Sequence, residues 1–304
     1  MELYLNSMGI ISGAGNEVAS GKLLCKEPDY SSYIAPMQLR RMSKAVRIGI
    51  GASKMCMTAA GIEKPDAISI GTAMGCLADT ELFLNKMVEQ DEQMLTPTAF
   101  IQSTHNTVSG QIALLAGCYG HNLTFVQRGH SFEHAMINAQ LHLDEYADEK
   151  MLVGGIDELT DNSYNAFKIG GVYNDTIIAG EGASFFVATS KPTSDKAICL
   201  KDIHCFTADN VADSIEQVTL FKQRNNISKT DSILSGRDNR TTEFYNNVSA
   251  LFNAQETTFK NECGEYPTAS AYALGTLFNS AVKGKTIILI NHFKNYYACW
   301  LMQC

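Results

Sequence analysis

The chain has 304 residues, 45% of them apolar and 18% charged, with a net charge of −8 at pH 7. Those proportions suit an ordinary globular protein and exclude disorder as the default. An acidic balance, with basic residues no more clustered than Arg40 and Arg41, excludes a nucleic-acid backbone as the expected partner.

The opening, MELYLNSMGIISGAG, is strand-like and apolar, without a basic leader region or a small-residue cleavage site, so a cytoplasmic protein is expected. Strands are predicted at Leu3 to Ile11, Ala67 to Gly71, Leu123 to Val126, Met151 to Val153, Ser184 to Ala188, Ile198 to Phe206, Ser232 to Leu234, Thr286 to Ile290 and Tyr297 to Met302. Helices fall between them. Val211, Ile215 and Val218 repeat at i, i+4 and i+7; Phe244, Val248, Leu251 and Phe252 extend that spacing to i+8, so each set makes a buried stripe. Alternating strands and helices imply α/β layers.

TIILI, Thr286 to Ile290, is the purest apolar run and is far shorter than the ~20 residues of a spanning helix, so no membrane insertion is expected. Pro, Ser, Thr and Lys cluster in ATSKPTSDK, Ala188 to Lys196, which marks an internal boundary between residues 1–190 and 191–304. The last two strand runs, divided by NHFKNY, predict an antiparallel pair closing the second half. Nine cysteines, with no C-x-x-C pair, read as reduced and half-buried, and neither a metal site nor a cofactor is called for.

The block from Thr124 to Gly155 says most about function. TFVQRGHSFEHAM is a strand, a bend at Gly129 and the start of a helix running from about Ser131 to Tyr146; the strand MLVGG completes a βαβ unit. A helix opening from such a bend points free N–H groups and a positive dipole end at it, which would lower a thiol's pKa. No thiol is present there.

These residues belong to an ordered set that resembles the β-ketoacyl synthases of the thiolase superfamily. The set comprises YLNSMGIISGAG, LRRMSKAVRIGIGASKMCMTAAGI (Leu39 to Ile62), AISIGTAMGCLADTE, TPTAFIQSTHNTVSGQIALLAG (Thr96 to Gly117) and MLVGGIDE (Met151 to Glu158). The resemblance implies a thiolase-like layered α/β/α/β/α fold built from two similar halves. It also implies a cysteine nucleophile and two histidines that assist decarboxylation of a malonyl carrier protein.

The sequence departs from that pattern at each of the three. Counting back without gaps from Gly154 and Gly155, the cysteine's place falls on Gly129, with Arg128 or His130 one residue to either side. The first histidine's place in DSILSGRDNRTTE is held by Ser235 or Gly236, and the second's, in GEYPTASAYALG, by Glu265. Lys260 is similar to the family's supporting lysine. Gln127, two positions before that place, is similar to the glutamine that replaces the elbow cysteine in chain-length factors and in certain decarboxylating ketosynthase-like domains. The family's closing glycine-rich loop reads INHFKNYYACWLM, where Asn291 and Phe293 remain but Lys294, Asn295, Tyr296 and Tyr297 bring bulk, so acyl access is expected to be obstructed.

Gln127, Arg128, Asn106, Phe293 and Tyr296 are read as pocket or interface residues. His130, at the mouth of a helix whose dipole disfavours a cation, is read as a neutral hydrogen-bonding group; His134, one turn on, is read as structural rather than as a second metal ligand. The resemblance then implies a non-catalytic, chain-length-factor-like subunit that pairs with an active ketosynthase, or with itself, with an acyl carrier protein nearby. Two alternatives stay open. One is a carrier-protein-dependent acyltransferase or decarboxylase using His130, Cys76 or Cys118; the other is a homodimeric acyl-chain binder.

Overall fold

A computed structural model of the chain describes residues 2–95, 97–280 and 283–304. Thr96, first residue of one of the segments quoted above, lies outside the described residues. The first half contains β1 (Leu3–Ser12), the two-residue β2 (Lys22–Leu23), the short α1 (Pro36–Leu39), α2 (Lys44–Ala59), β3 (Ala67–Gly71), α3 (Leu77–Glu89) and α4 (Pro97–Gln102). It continues with α5 (Thr107–Ala116), β4 (Asn122–Phe125), α6 (Ser131–Glu145), β5 (Met151–Asp157), α7 (Asp161–Ile169), β6 (Ala179–Gly180) and β7 (Gly182–Thr189). The remainder holds β8 (Ile198–Thr207), α8 (Val211–Arg224), β9 (Ser232–Ser235), α9 (Thr242–Phe252), β10 (Gln255–Thr258), α10 (Lys260–Cys263), α11 (Ala269–Ser280), β11 (Thr286–Phe293) and β12 (Tyr296–Gln303).

All nine predicted strands form, and β2, β6 and β10 add to them. The main sheet has ten strands in the order β10-β9-β11-β12-β8-β1-β7-β5-β3-β4. Its two halves repeat one pattern. In the first, β3 pairs parallel with β4 and β5, then β5 with β7 and β7 with β1 antiparallel. In the second, β9 pairs parallel with β10 and β11, then β11 with β12 and β12 with β8 antiparallel. Within the sheet the halves join where Leu3, Tyr4 and Leu5 pair with Leu200, Cys199 and Ile198.

Burial gives the layers. α6 and α11 share one core with side chains from both half-sheets, including Leu3, Phe186, Leu289 and Trp300. α2 and α5 cover the outer face of the first half-sheet, and α8 and α9 that of the second. Strands covered on both faces read as continuous apolar runs. In β7, Phe186 enters the central core while its neighbours Phe185 and Val187 enter the outer one. Each such phenyl ring contributes about 1.5–3 kcal/mol by burial. The predicted stripes behave accordingly: Phe244, Val248 and Phe252 of α9 are buried, and Val218 of α8 is packed beside them.

β10 escaped prediction because QETT is polar and bonds to one neighbour only, with half of its residues exposed. NHF, expected in the closing turn, instead extends β11, so the hairpin turn is only Lys294 and Asn295, with Lys294 at φ 56°.

Candidate functional site

β4 ends at Phe125, and the chain bends through Gln127 into a short 3-10 turn, Arg128–His130, before α6 begins. Arg128 sits at φ 54°, in the left-handed region that non-glycine residues avoid. The Ser131 hydroxyl pins the bend, accepting from the Gln127 N–H at 2.9 Å and donating to the Arg128 carbonyl at 2.8 Å. Gln127 and Arg128 are exposed; Gly129 and His130 are buried.

The β11–β12 hairpin lies directly over Gly129. A Cβ added there would fall 2.8 Å from the Tyr296 Cβ and 2.9 Å from the Phe293 Cβ, closer than real Cβ atoms come. Arg128 Nη1 donates to Tyr296 Oη at 2.8 Å, which ties the bend to the hairpin. His130 Nε2 donates to the Tyr297 carbonyl at 2.9 Å. Burial, only partly offset by that bond, lowers the His130 pKa, so the ring is neutral at pH 7. Phe293 belongs to an apolar cluster with Val172, Tyr173, Ile177 and Ala179, and meets Phe167 edge-on at 6.0 Å. Space beside the bend is therefore filled by the chain's own aromatic side chains.

The second group of residues surrounds the base of the same hairpin. Gly236 donates its N–H to the Ile290 carbonyl at 2.8 Å, and a Cβ on it would lie 2.4 Å from Asn291 Oδ1. Ser235 donates to Glu256 at 2.6 Å. Lys260 and Glu265, both buried, form an ion pair at 2.6 Å, and Lys260 Nζ also donates to the His292 carbonyl at 2.6 Å. Burial raises the Glu265 pKa against the pull of Lys260.

His292 is buried between Tyr245 Oη, 3.1 Å from Nδ1, and Asp238 Oδ2, 3.3 Å from Nε2. Burial and the Lys260 charge push its pKa down to about 4, so the neutral ring donates from Nε2 and accepts at Nδ1. Burial works against the Asp238 charge, but His292, Arg240 and Lys260 outweigh it and hold the carboxyl well below the usual range. Arg240 closes the network, bonding Asp238 at 2.8 Å and the carbonyls of Gly171 and Val172 at 3.1 and 3.0 Å. A cavity of about 160 Å³ opens above Lys260, Glu265 and Asp238.

One hairpin thus gathers Arg128, Gly129, His130, Gly236, Lys260, Phe293 and Tyr296, with Glu265 bound through Lys260. Asn106 stands apart, exposed at the start of α5, where its carbonyl accepts from Ser109 and Gly110. His130 and His134 make an edge contact at 5.9 Å, and no metal-binding group of three His, Cys, Asp or Glu occurs among the described residues. The sequence reading missed the Asp238–His292–Tyr245 network. Its only signal was a histidine at an inward position of a mostly apolar strand, TIILINHF.

The beta-ketoacyl synthase N-terminal domain model matches residues 21–193, more than half of the chain. The chain belongs to the β-ketoacyl synthase family. Comparison with curated proteins gives no match. Among solved structures, a type II PKS acyl-carrier protein in complex with its ketosynthase superposes with TM-score 0.80 at 13% identity, covering 100% of this chain and 99% of that one. The ishigamide ketosynthase/chain length factor gives 0.78 at 12% identity, with 100% and 99% covered. A ketosynthase in complex with its chain length factor from Xenorhabdus doucetiae gives 0.76 at 14%, with 99% and 97% covered. At these identities the likeness is one of fold, and the thiolase-like ketosynthase fold is the one expected from the sequence.

Proposed function

We propose that this ketosynthase-like chain is a non-catalytic subunit that pairs with an active β-ketoacyl carrier-protein synthase and shapes its acyl tunnel, in the manner of a chain-length factor. The reaction of the family requires a nucleophile at the elbow and donors that stabilise an enolate, each a multi-kcal/mol contribution. The observation that carries the reading is at Gly129: Phe293 and Tyr296 leave no room there for any side chain. The histidine places hold Gly236 or Ser235 and Glu265, and Glu265 is already engaged by Lys260.

Pairing is supported by β4. Among the described residues it bonds only to β3, leaving one edge free, and Leu123 and Val126 remain 43% and 38% exposed along it. Leu114 and Leu141 are exposed on α5 and α6, whose neighbouring faces pack on that strand. An unpaired, apolar edge is a template for another chain. Products of such a pair would be fatty-acid, polyketide or aryl-polyene-type chains assembled on an acyl carrier protein.

The alternative enzyme reading needs a reactive group elsewhere. Cys76 is buried, and burial pushes its thiol up to about 12, which leaves almost no thiolate at pH 7. Cys118 is buried too, its thiol directed at the Asp66 carbonyl. Co-expression with candidate ketosynthases tests the proposal. Expected is a stable heterodimer whose product lengths differ from those of the ketosynthase alone. A chain that stays monomeric and leaves every product distribution unchanged would remove it.

A further inference from the structure

The polar segment that joins the two halves, Ala188 to Lys196, lines a cavity of about 720 Å³ far from the bend. β12 measures the separation: Tyr296 at its start covers Gly129, whereas Gln303 at its end lines the cavity, about 23 Å further along the strand. The segment is tied down. The Thr193 N–H donates to Asn6 Oδ1 at 2.7 Å, and Asn6 Nδ2 donates to Thr189 Oγ1 at 2.7 Å. Tyr4 of β1, Cys199 and Lys201 of β8 and Phe278 of α11 supply the other walls. The volume falls within the range of about 300–1,000 Å³ typical of small-molecule sites.

The polar groups of these walls already hold a carboxylate. Glu2 Oε2 accepts from Tyr4 Oη at 2.7 Å and from Cys199 Sγ at 3.6 Å, and Glu2 Oε1 pairs with Lys201 Nζ. The bonds from Lys201 and Tyr4 keep the Glu2 carboxyl below its usual range. Three donors from two strands thus converge on one carboxylate at the cavity's rim. The ion pair is open to water, with 28% of the Lys201 side chain and 47% of that of Glu2 exposed, and exposed pairs are weak. A second carboxylate can therefore displace Glu2 at little cost. Further positive charge surrounds the opening: among the described residues the exposed Lys196 forms no ion pair, and Lys283 reaches Asp195 only at 3.7 Å. Phe278, packed on Phe186 at 6.1 Å and partly exposed, gives the cavity an apolar wall. An inorganic anion would leave that wall and most of the volume uncovered.

We infer that this cavity binds an organic anion, a carboxylate carried on an apolar body as in a fatty acid. Tyr4, Lys196 and Lys201 meet the head group, Phe278 flanks the body, and Glu2 is a built-in competitor that the ligand displaces. The site is separate from both the bend and the β4 edge, so it stands whether or not the chain pairs with a ketosynthase.

Isothermal titration calorimetry of the full chain with sodium decanoate, kept below the concentration at which it forms micelles, tests the inference. Expected is one decanoate per chain, with neither acetate nor decylammonium binding at the same concentrations. The K196A/K201A variant loses two charge-assisted contacts, so its dissociation constant should rise about tenfold or more. E2A removes the competitor, and its dissociation constant should fall about threefold or more. These opposite signs, from neighbouring groups that all reach the surface, distinguish a built site from general adhesion of an apolar chain. Should the lysine variant disturb folding by circular dichroism, K196Q/K201Q gives the same comparison. Absence of decanoate binding overturns the inference. Binding that ignores the lysine variants also overturns it, because the acid then sits in another groove, and so does decylammonium binding as tightly as decanoate. An E2A chain that binds decanoate no better than the wild type removes the built-in competitor.

Discussion

In the N-terminal half, the bend after β4 is closed by bulk: Gly129 lies under Phe293 and Tyr296, and Phe293 joins an aromatic cluster. In the C-terminal half, the region after β9 and β10 is closed by charge, with Lys260, Glu265, Asp238, Arg240 and His292 linked through buried contacts. Both half-sheets have the same strand order, and both closures use the same hairpin. The difference matters because apolar filling tolerates volume-conserving swaps, whereas a buried charge stripped of its partner does not.

The largest effect is expected where charge does the closing. Lys260→Ala leaves Glu265 buried without its counter-ion and should cost about 3–5 kcal/mol in urea unfolding, whereas a Lys260→Met/Glu265→Leu double variant should recover most of that loss. If the single and double variants are equally unstable, the closure does not depend on the pairing of charges. Gly129→Cys, which puts a thiol at the bend, must push Tyr296 and Phe293 apart and should cost about 1–3 kcal/mol. A neutral outcome, with the thiol accepting an acyl group, would show the bend to be open.

Titration separates the halves further. Burial pushes the carboxyls of Glu133 and Glu158 up to about 7 and that of Asp157 up to about 6. In the folded state these groups keep their protons until the pH approaches those values, while unfolded carboxyls lose them near 4. Stability from them is therefore complete below about pH 4 and declines as pH rises to about 7, with a slope of order 1 kcal/mol per pH unit for each group. Asp238 acts oppositely, since its depressed pKa gives stability above about pH 4 that is lost as the pH falls. Urea midpoints should drop between pH 5 and pH 7.5, and Glu133→Gln, which keeps an acceptor for Ser270, should flatten that drop. The smallest effect is expected for Tyr296→Phe, which removes the exposed bond from Arg128 and should cost about 0.5–1 kcal/mol.

The two regions were not equally legible in the sequence. Nine strands, both helical stripes and the bend at Gly129 followed from apolar spacing and turn residues, because those signals are local. The family resemblance put Lys260, Gly236, Glu265 and Phe293 on the page by position alone. What they touch was not visible: Asp238 and His292 meet across 54 residues, and Lys260 and His292 across 32, and nothing in periodicity links such partners. His121 and His142 are likewise distant in the chain, and their stacking depends on how α6 lies beside β4. β10 stayed hidden because a polar edge strand carries no alternation to detect.

Intact-mass spectrometry of the full chain after incubation with acyl- and malonyl-loaded carrier protein tests most directly whether this ketosynthase-like fold works without chemistry of its own. Expected are an unchanged protein mass and a malonyl group that stays carboxylated. An acyl adduct on any residue of the isolated chain, or carbon dioxide released by it alone, would contradict a purely structural role.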